Sequence, residues 1–121
     1  MNGVPSDLPL GRLIGHDLDA ITLCKYQICF RFDGGILITP TTAWELRDLS
    51  GALLDSAQEH EQRESYRVHQ IIGIPVSSFS IDAPRSFTLV FGSGHKLTIS
   101  DDGPQYESCT IDFEGEPTII I

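Results

Sequence analysis

The stretch FTLVFGSGHKLTIS, residues Phe87–Ser100, decides the fold class because apolar and polar residues alternate on both sides of a glycine-containing segment. Before that segment, Phe87, Leu89 and Phe91 stand at every second position, and the same spacing resumes at Leu97. A strand that buries one face has this period of two. The stretch therefore predicts an antiparallel hairpin with one face in a core.

The segment GSGHK, residues Gly92–Lys96, has the composition of a phosphate-binding loop as well as that of a turn. Glycine loops that hold phosphates point successive backbone N–H groups at the anion and usually lead into a helix. This segment leads into a strand, and it matches neither the P-loop motif nor the dinucleotide fingerprint. We therefore interpret it as the turn of the hairpin.

The same arrangement occurs earlier in the chain, in ICFRFDGGILIT at Ile28–Thr39, where Asp33–Gly35 takes the place of GSGHK. Around these hairpins, residues 13–39 and 71–100 each begin with two apolar residues and a glycine. Each stretch then continues through three alternating segments. The two stretches therefore predict two copies of one three-stranded meander.

The rest of the chain predicts one helix and further strands. Residues Ser56–Gln70 open with the capping-box pattern SAQE and are rich in helix-favouring residues. Strands are expected at Thr42–Arg47, Tyr106–Phe113 and Thr118–Ile121, and the apolar last strand should pair within the sheet or at an interface. The predicted fold class is α+β, mainly antiparallel β, as a single domain over residues 1–121. In it a duplicated three-stranded meander forms a curved sheet or partly open barrel with one helix.

Cysteine content and the lack of targeting signals set the expected compartment. The three cysteines, Cys24, Cys29 and Cys109, are an odd number without metal-ligand spacing, so we expect buried or half-buried free thiols. No window approaches the roughly 18 consecutive apolar residues of a membrane helix. The N-terminus has no basic segment followed by an apolar run. We therefore expect a soluble, cytoplasmic protein.

Candidate catalytic and metal motifs are weak. HEQRE, at His60–Glu64, lacks the second histidine of the HExxH zinc motif. Ser93 has neither the spacing nor the following helix of a nucleophile elbow. No pair of carboxylates is singled out as acid and base. We expect a protein without catalytic activity, metal ion or cofactor.

The net charge of −9 is unevenly distributed. After Lys96 the chain contains six acidic residues and no Lys or Arg. Such a field repels nucleic acid and anionic membranes and attracts a basic protein. Two interpretations stay open at this point: charge that keeps the protein soluble, and charge that draws in a basic partner.

Three segments, FRFDGGILIT, FTLVFGSGHKLTIS and YESCTI, together resemble a group of small, uncharacterised bacterial proteins. In that group two glycine hairpins are followed by a strand that contains Tyr-Glu-Ser. Many such small acidic proteins are similar to immunity proteins of contact-dependent or polymorphic toxin systems. The resemblance implies tight binding and blockade of a cognate toxin domain, without catalysis.

Charge and resemblance together suggest an immunity protein that neutralises a nuclease-type toxin by occluding its basic surface. Two alternatives stay open: a phage-encoded acidic inhibitor or nucleic-acid mimic that blocks a defence nuclease, and a small-molecule-binding barrel. Neither nucleic acid nor membrane is expected as a direct partner. The candidate contact residues are acidic side chains of the predicted helix and of the C-terminal third: Glu59, Glu61, Glu64, Asp101, Asp102, Glu107, Asp112, Glu114 and Glu116.

Overall fold

The computed structural model describes residues 3–25, 27–41, 43–58, 63–101 and 109–121, and these are mainly β-strand. The strands are Leu18–Leu23 (β1), Ile28–Phe32 (β2), Ile36–Pro40 (β3), Ala43–Arg47 (β4), Leu53–Ser56 (β5), Val76–Asp82 (β6), Ser86–Phe91 (β7), Lys96–Ser100 (β8), Cys109–Phe113 (β9) and Ile119–Ile120 (β10). Short 3-10 helices within the described ranges are Leu10–Leu13 (η1), Asp33–Gly35 (η2) and Val68–Ile71 (η3).

The strands form two five-stranded antiparallel sheets. The first sheet has the order β1-β2-β3-β9-β10, and the second has the order β5-β4-β8-β7-β6. Strand β4 follows β3 in the chain but pairs with β8 in the second sheet. Strand β9 follows β8 but pairs with β3 in the first sheet. The chain therefore crosses from one sheet to the other after each run of three paired strands.

The two sheets enclose one hydrophobic core to which both contribute side chains. Across the sheets, the rings of Phe32 in β2 and Phe91 in β7 stack with centroids 6.5 Å apart. Phe30 of β2 meets Trp44 of β4 edge to face at 6.0 Å. Burial of the apolar core side chains, these rings among them, is the main force that holds the sheets together.

The hairpin predicted from Phe87–Ser100 is confirmed. Phe87 and Phe91 are each 1% exposed, and β7 pairs with β8 antiparallel. The turn is closed by the N–H of Gly94, which donates to the carbonyl of Phe91 at 2.8 Å, and by the N–H of Phe91, which donates to the carbonyl of His95 at 2.9 Å. Gly94 has φ of +89°, a left-handed conformation in which glycine is favoured. The glycines of GSGHK therefore serve a turn.

The sequence predicted a curved sheet or partly open barrel, whereas the described strands form two separate five-stranded sheets that do not close into a barrel. In the described part of the chain, β1 and β6 approach each other only near their first residues, through the isolated bridges Ile14 to Val76 and Asp17 to Pro75. The strands instead bury their apolar faces by packing one sheet on the other, which satisfies the alternating pattern as well as closure would.

The helix predicted over residues 56–70 is wrong for the residues that the structure describes. Ser56 ends β5, residues 63–67 have no regular secondary structure, and Val68–Ile71 form a short 3-10 helix; residues 59–62 lie outside the described ranges. Helix propensity contributes only about 0.7 kcal/mol or less per ordinary residue. Here a buried ion pair between Arg63 and Asp55 holds the segment in another conformation.

The two stretches predicted to be copies each form a meander, β1-β2-β3 and β6-β7-β8. Their first residues exchange matching backbone hydrogen bonds. Gly15 N–H donates to Val76 O at 2.8 Å, and Gly73 N–H donates to Leu18 O at 2.7 Å. Gly73 follows Gly15 by the same 58 positions by which Val76 follows Leu18. The contacts are reciprocal, and the duplication itself stays a prediction.

The apolar last strand was expected to pair within the sheet or at an interface, and it pairs within the sheet. Strand β10 pairs with β9, and Ile121 N–H donates to the carbonyl of Cys109 at 2.9 Å. The side chain of Ile121 is 1% exposed. The last residue of the chain therefore contributes to the core.

The three cysteines are free, as predicted, but they differ in burial. Cys29 and Cys109 are buried, whereas Cys24 lies after the end of β1 and is exposed. The prediction of buried or half-buried thiols is therefore wrong for Cys24.

Candidate protein-binding surface

Acidic side chains gather at one corner of the first sheet, where the turn after β2 lies beside the turn after β9. The two turns are neighbours because β3 pairs with β9, with Ile36 opposite Phe113. Glu114 N–H donates to the carbonyl of Gly35 at 3.1 Å. A Cβ built on Gly35 would lie 2.5 Å from Glu114 Oε2. The absence of a side chain at Gly35 therefore leaves room for the Glu114 side chain to lie against the turn.

The same turn contacts the segment that precedes β1. Asp33 N–H donates to the carbonyl of Asp17 at 3.0 Å, and His16 Nδ1–H donates to the Asp33 carboxylate. The side chains of His16 and Asp33 are 37% and 44% exposed. Both groups can therefore be reached by solvent and by a partner.

Arg12 of η1 contacts the turn after β9. Its guanidinium donates to both carboxylate oxygens of Glu116, at 2.9 and 2.5 Å, and stacks 4.0 Å from the ring centroid of Phe113. The hydrogen bond from Arg12 lowers the pKa of Glu116, so this carboxylate is ionised at neutral pH. Because both side chains are about half exposed, the pair fixes orientation and adds little stability.

We refer to the cluster of Asp17, Asp33, Glu114 and Glu116, together with His16 and Arg12, as the acidic corner. Four carboxylates and one guanidinium leave an excess of three negative charges when the histidine is neutral. All four acidic residues are exposed or partly exposed, so their field extends into solvent over about one Debye length, about 8 Å at physiological salt.

The candidate contact residues that the structure describes lie at several different places. Glu114 and Glu116 lie in the acidic corner, whereas Asp112 lies within β9. Asp101 follows β8 and is partly buried. Glu64 is exposed beside β5 and lines a pocket there. The remaining candidates lie outside the described residues: Glu59, Glu61, Asp102 and Glu107.

Asp17, Asp33 and His16 were missed by the sequence reasoning. Their proximity to Glu114 and Glu116 depends on the pairing of β3 with β9, strands separated by the whole second meander. A carboxylate inside the DGG turn was visible in the sequence. Nothing local indicated what would stand beside it.

A second polar cluster is buried between β5 and the segment that leads to η3. The side chains of Asp55 and Arg63 are 4% and 3% exposed, and Arg63 Nη1 lies 2.6 Å from Asp55 Oδ1. The backbone N–H groups of Arg67 and Val68 donate to Asp55 Oδ2, each at 2.8 Å. Burial by itself raises the pKa of Asp55, but the hydrogen bonds from Arg63 and from the backbone outweigh it and lower the pKa.

An open pocket of about 340 Å³ adjoins this cluster and is lined by Leu53, Ser65 and Arg67 among others. The carboxylate of Asp55 forms part of its wall, but both oxygens are already occupied by donors. Among the described residues, every buried side-chain nitrogen and oxygen has a hydrogen-bond partner. The cluster therefore fixes the segment before η3 onto β5, and it offers no unpaired group for chemistry.

Other classes of site are not assembled in the part of the chain that the structure describes. No three His, Cys, Asp or Glu side chains within residues 3–25, 27–41, 43–58, 63–101 and 109–121 are placed to hold a metal ion. Across those same ranges, no helix has the length and apolar character needed to cross a bilayer.

Comparisons with known proteins add no relative. No protein-family model matches the chain, and neither curated proteins nor solved structures give a match. The candidate function therefore depends on the chain's own residues and on the resemblance noted from its sequence.

Proposed function

We propose that this protein is a non-catalytic immunity protein that neutralises a cognate bacterial toxin of the nuclease type in the cytoplasm. The observation that carries the proposal is the acidic corner, which contains four solvent-accessible carboxylates and only one guanidinium, paired with Glu116. Enzymes that act on nucleic acid bind phosphates through Lys and Arg. A surface of opposite sign is complementary to such a site. The resemblance to small immunity proteins supports the same function.

A comparison of the two meanders indicates that Asp17 and Asp33 are acidic for binding and not for folding. We propose that residues 13–39 and 71–100 are copies of one unit. Asp33 N–H then donates to Asp17 O as Gly92 N–H donates to Pro75 O, at 3.0 and 2.8 Å. The same backbone contact forms without a carboxylate on either residue of the second pair. The contact does not require acidic side chains, which leaves them available for recognition.

The proposed mechanism is occlusion. The net charge of −9 draws a basic toxin domain towards the protein and raises the rate of encounter. Glu114, Asp33 and Asp17 then pair with Lys and Arg side chains that would otherwise hold phosphate. Because the toxin's substrate is itself a polyanion, a carboxylate surface seated on that site excludes it by both volume and charge.

The partner is sought in the neighbouring open reading frame. Co-expression and co-purification should give a stable complex and restore growth of cells that express the neighbouring protein. The association rate, measured by stopped flow, should fall steeply as NaCl is raised, because exposed charges are screened. A neighbouring toxin that stays active and unbound, or an association rate independent of salt, would contradict the proposal.

Charge variants test the surface itself. The pair Asp33→Asn with Glu114→Gln should slow association with the partner about tenfold or more. The control pair Asp7→Asn with Asp82→Asn removes the same charge from exposed residues outside the acidic corner and should change the rate much less. Equal effects of the two pairs would show that net charge alone matters and that the acidic corner is not the contact surface.

The phage-encoded inhibitor is the second candidate, and the same acidic corner favours it equally. The two are separated by gene context and by target: a toxin gene beside an immunity gene, or phage genes beside an inhibitor of a defence nuclease. The small-molecule-binding barrel is not proposed, since the sheets do not form a barrel.

A further inference from the structure

We infer that the chain consists of two equivalent five-stranded units, residues 10–56 and 68–121, which exchange their last two strands, so that each half is the obligate binding partner of the other. This inference is independent of the proposed function. It goes beyond the repeat predicted from the sequence. That repeat covers three strands in each half, whereas the inference adds the two strands that each half contributes to the sheet of the other.

The sheet order carries the exchange. Each unit forms a meander, β1-β2-β3 or β6-β7-β8, and then sends a hairpin to the other unit's sheet. The hairpin β4-β5 continues the second meander through five residue pairs between β4 and β8. The hairpin β9-β10 continues the first meander through five residue pairs between β9 and β3. Each meander therefore has its third strand covered by a strand of the other half.

The two units match in their irregular features, which are stronger signs of equivalence than regular strand pairing. In β1 the pairing register shifts between Leu18 and Ala20, and in β6 it shifts between Val76 and Ser78. The shift in β6 lies 58 positions after the shift in β1. The same 58 positions separate Gly73 from Gly15, whose backbone hydrogen bonds are equivalent. A bulge is a specific local feature, so its recurrence at one offset indicates one underlying unit.

The residues before the strands match as well. The 3-10 helices η1 and η3 end at Leu13 and Ile71, and the N–H groups of the C-cap residues Ile14 and Ile72 donate to Gly11 O and His69 O at 3.3 and 3.1 Å. Both are followed by a glycine with φ of +86°. The order 3-10 helix, glycine, bulged strand is thus the same in both halves.

A half on its own lacks the means to fold. Separated from the second unit, β3 would expose an unpaired edge, and the hairpin β4-β5 would have no sheet to join. Isolated two-stranded hairpins are marginal in water, and an open apolar edge promotes aggregation. The separated halves would also lose the backbone hydrogen bonds between them, in which Leu18 N–H donates to Ile74 O at 3.3 Å and Val76 N–H donates to His16 O at 3.0 Å. The arrangement is that of a strand-exchanged dimer joined into one chain.

The test cuts the intact, folded protein between the units. A specific protease site is inserted after Gln58, and the uncut insertion variant must first show the same circular dichroism and urea midpoint as the natural chain. After cleavage, the two halves should co-elute on size exclusion. The urea midpoint of the cleaved protein should fall on about hundredfold dilution, because its folding is now bimolecular, whereas that of the uncut protein should stay constant.

Two results would overturn the inference. Halves that separate under native conditions and keep native circular dichroism would be independent domains. A concentration-independent midpoint after cleavage would exclude mutual completion in the same way.

A second measurement needs no variant. Native-state hydrogen exchange on the intact protein should give the same opening free energy for core amides of β3 and of β8, since both meanders can open only together. Two distinct global values, one per half, would contradict the exchange of strands even if the insertion variant failed to fold.

Discussion

At the scale of single residues, Asp55 is the one acidic residue that is buried in the described part of the chain. Its pKa is lowered in the folded protein, so its stabilising contribution is complete above its unfolded pKa of about 4. That contribution disappears as pH falls through the lower, folded pKa. Asp55 therefore links the buried network to acid stability.

We expect Asp55→Asn to lower the free energy of unfolding at pH 7 by about 3 to 5 kcal/mol, because it leaves Arg63 buried without its anion. Urea titrations of both proteins should show the difference shrinking as pH falls below about 4, because Asp55 is then protonated in the unfolded chain before it is protonated in the folded protein. Asp19→Asn, at an exposed carboxylate, is the control and should change stability by no more than about 0.5 kcal/mol. A constant difference down to acidic pH would exclude the ionised pair as its cause.

The thiols give a second prediction at this scale. Burial raises the pKa of Cys109 to about 12, and thiolate is the reactive form. In the native protein a thiol-specific disulfide reagent at pH 8 should modify Cys24 alone, because Cys29 and Cys109 are buried. All three thiols should react in denaturant. A native protein in which two thiols react as fast as in denaturant would contradict the placement of these residues.

At the scale of elements, alternation predicted strands such as β7, β8 and β9 well because each of them has one buried face and one more exposed face. The pattern at Phe87–Phe91 is visible within five residues and needs no information from distant parts of the chain. The helix failed because helix propensity is a weak local preference, and Arg63 has a buried partner in β5. Which strands became neighbours was not predictable, since β3 meets β9 across about seventy residues of sequence.

The last strand supplies a prediction about elements. Ile121 is 1% exposed and Ile120 is 54% exposed, although they are adjacent and chemically identical. We expect Ile121→Ala to reduce the free energy of unfolding by about 2 to 4 kcal/mol, through lost burial and a cavity. Ile120→Ala should cost about 0.5 kcal/mol or less. Similar urea midpoints for the two variants would show that the C-terminus is not part of the core.

At the scale of the whole molecule, excess negative charge opposes the compact state. The net charge of −9 produces self-repulsion that salt screens. We expect the urea midpoint at pH 7 to rise between about 20 and 200 mM NaCl. The rise should be smaller in the Asp33→Asn, Glu114→Gln variant, which lowers charge density at the acidic corner. A midpoint that falls with salt would show that attractive ion pairs outweigh the repulsion.

The sequence by itself determined the antiparallel strands, the glycine turns and the sign of the charge. These properties depend on residues close together in the chain or on composition alone. Tertiary structure alone decided that the sheets pack face to face, that the hairpins cross between them, and that Asp33 stands beside Glu114. The physical reason is that a strand's alternation specifies which face is buried, but its backbone groups can pair with any neighbour. The choice of neighbour, and with it the position of the acidic corner, follows from how the strands that the structure describes share one core.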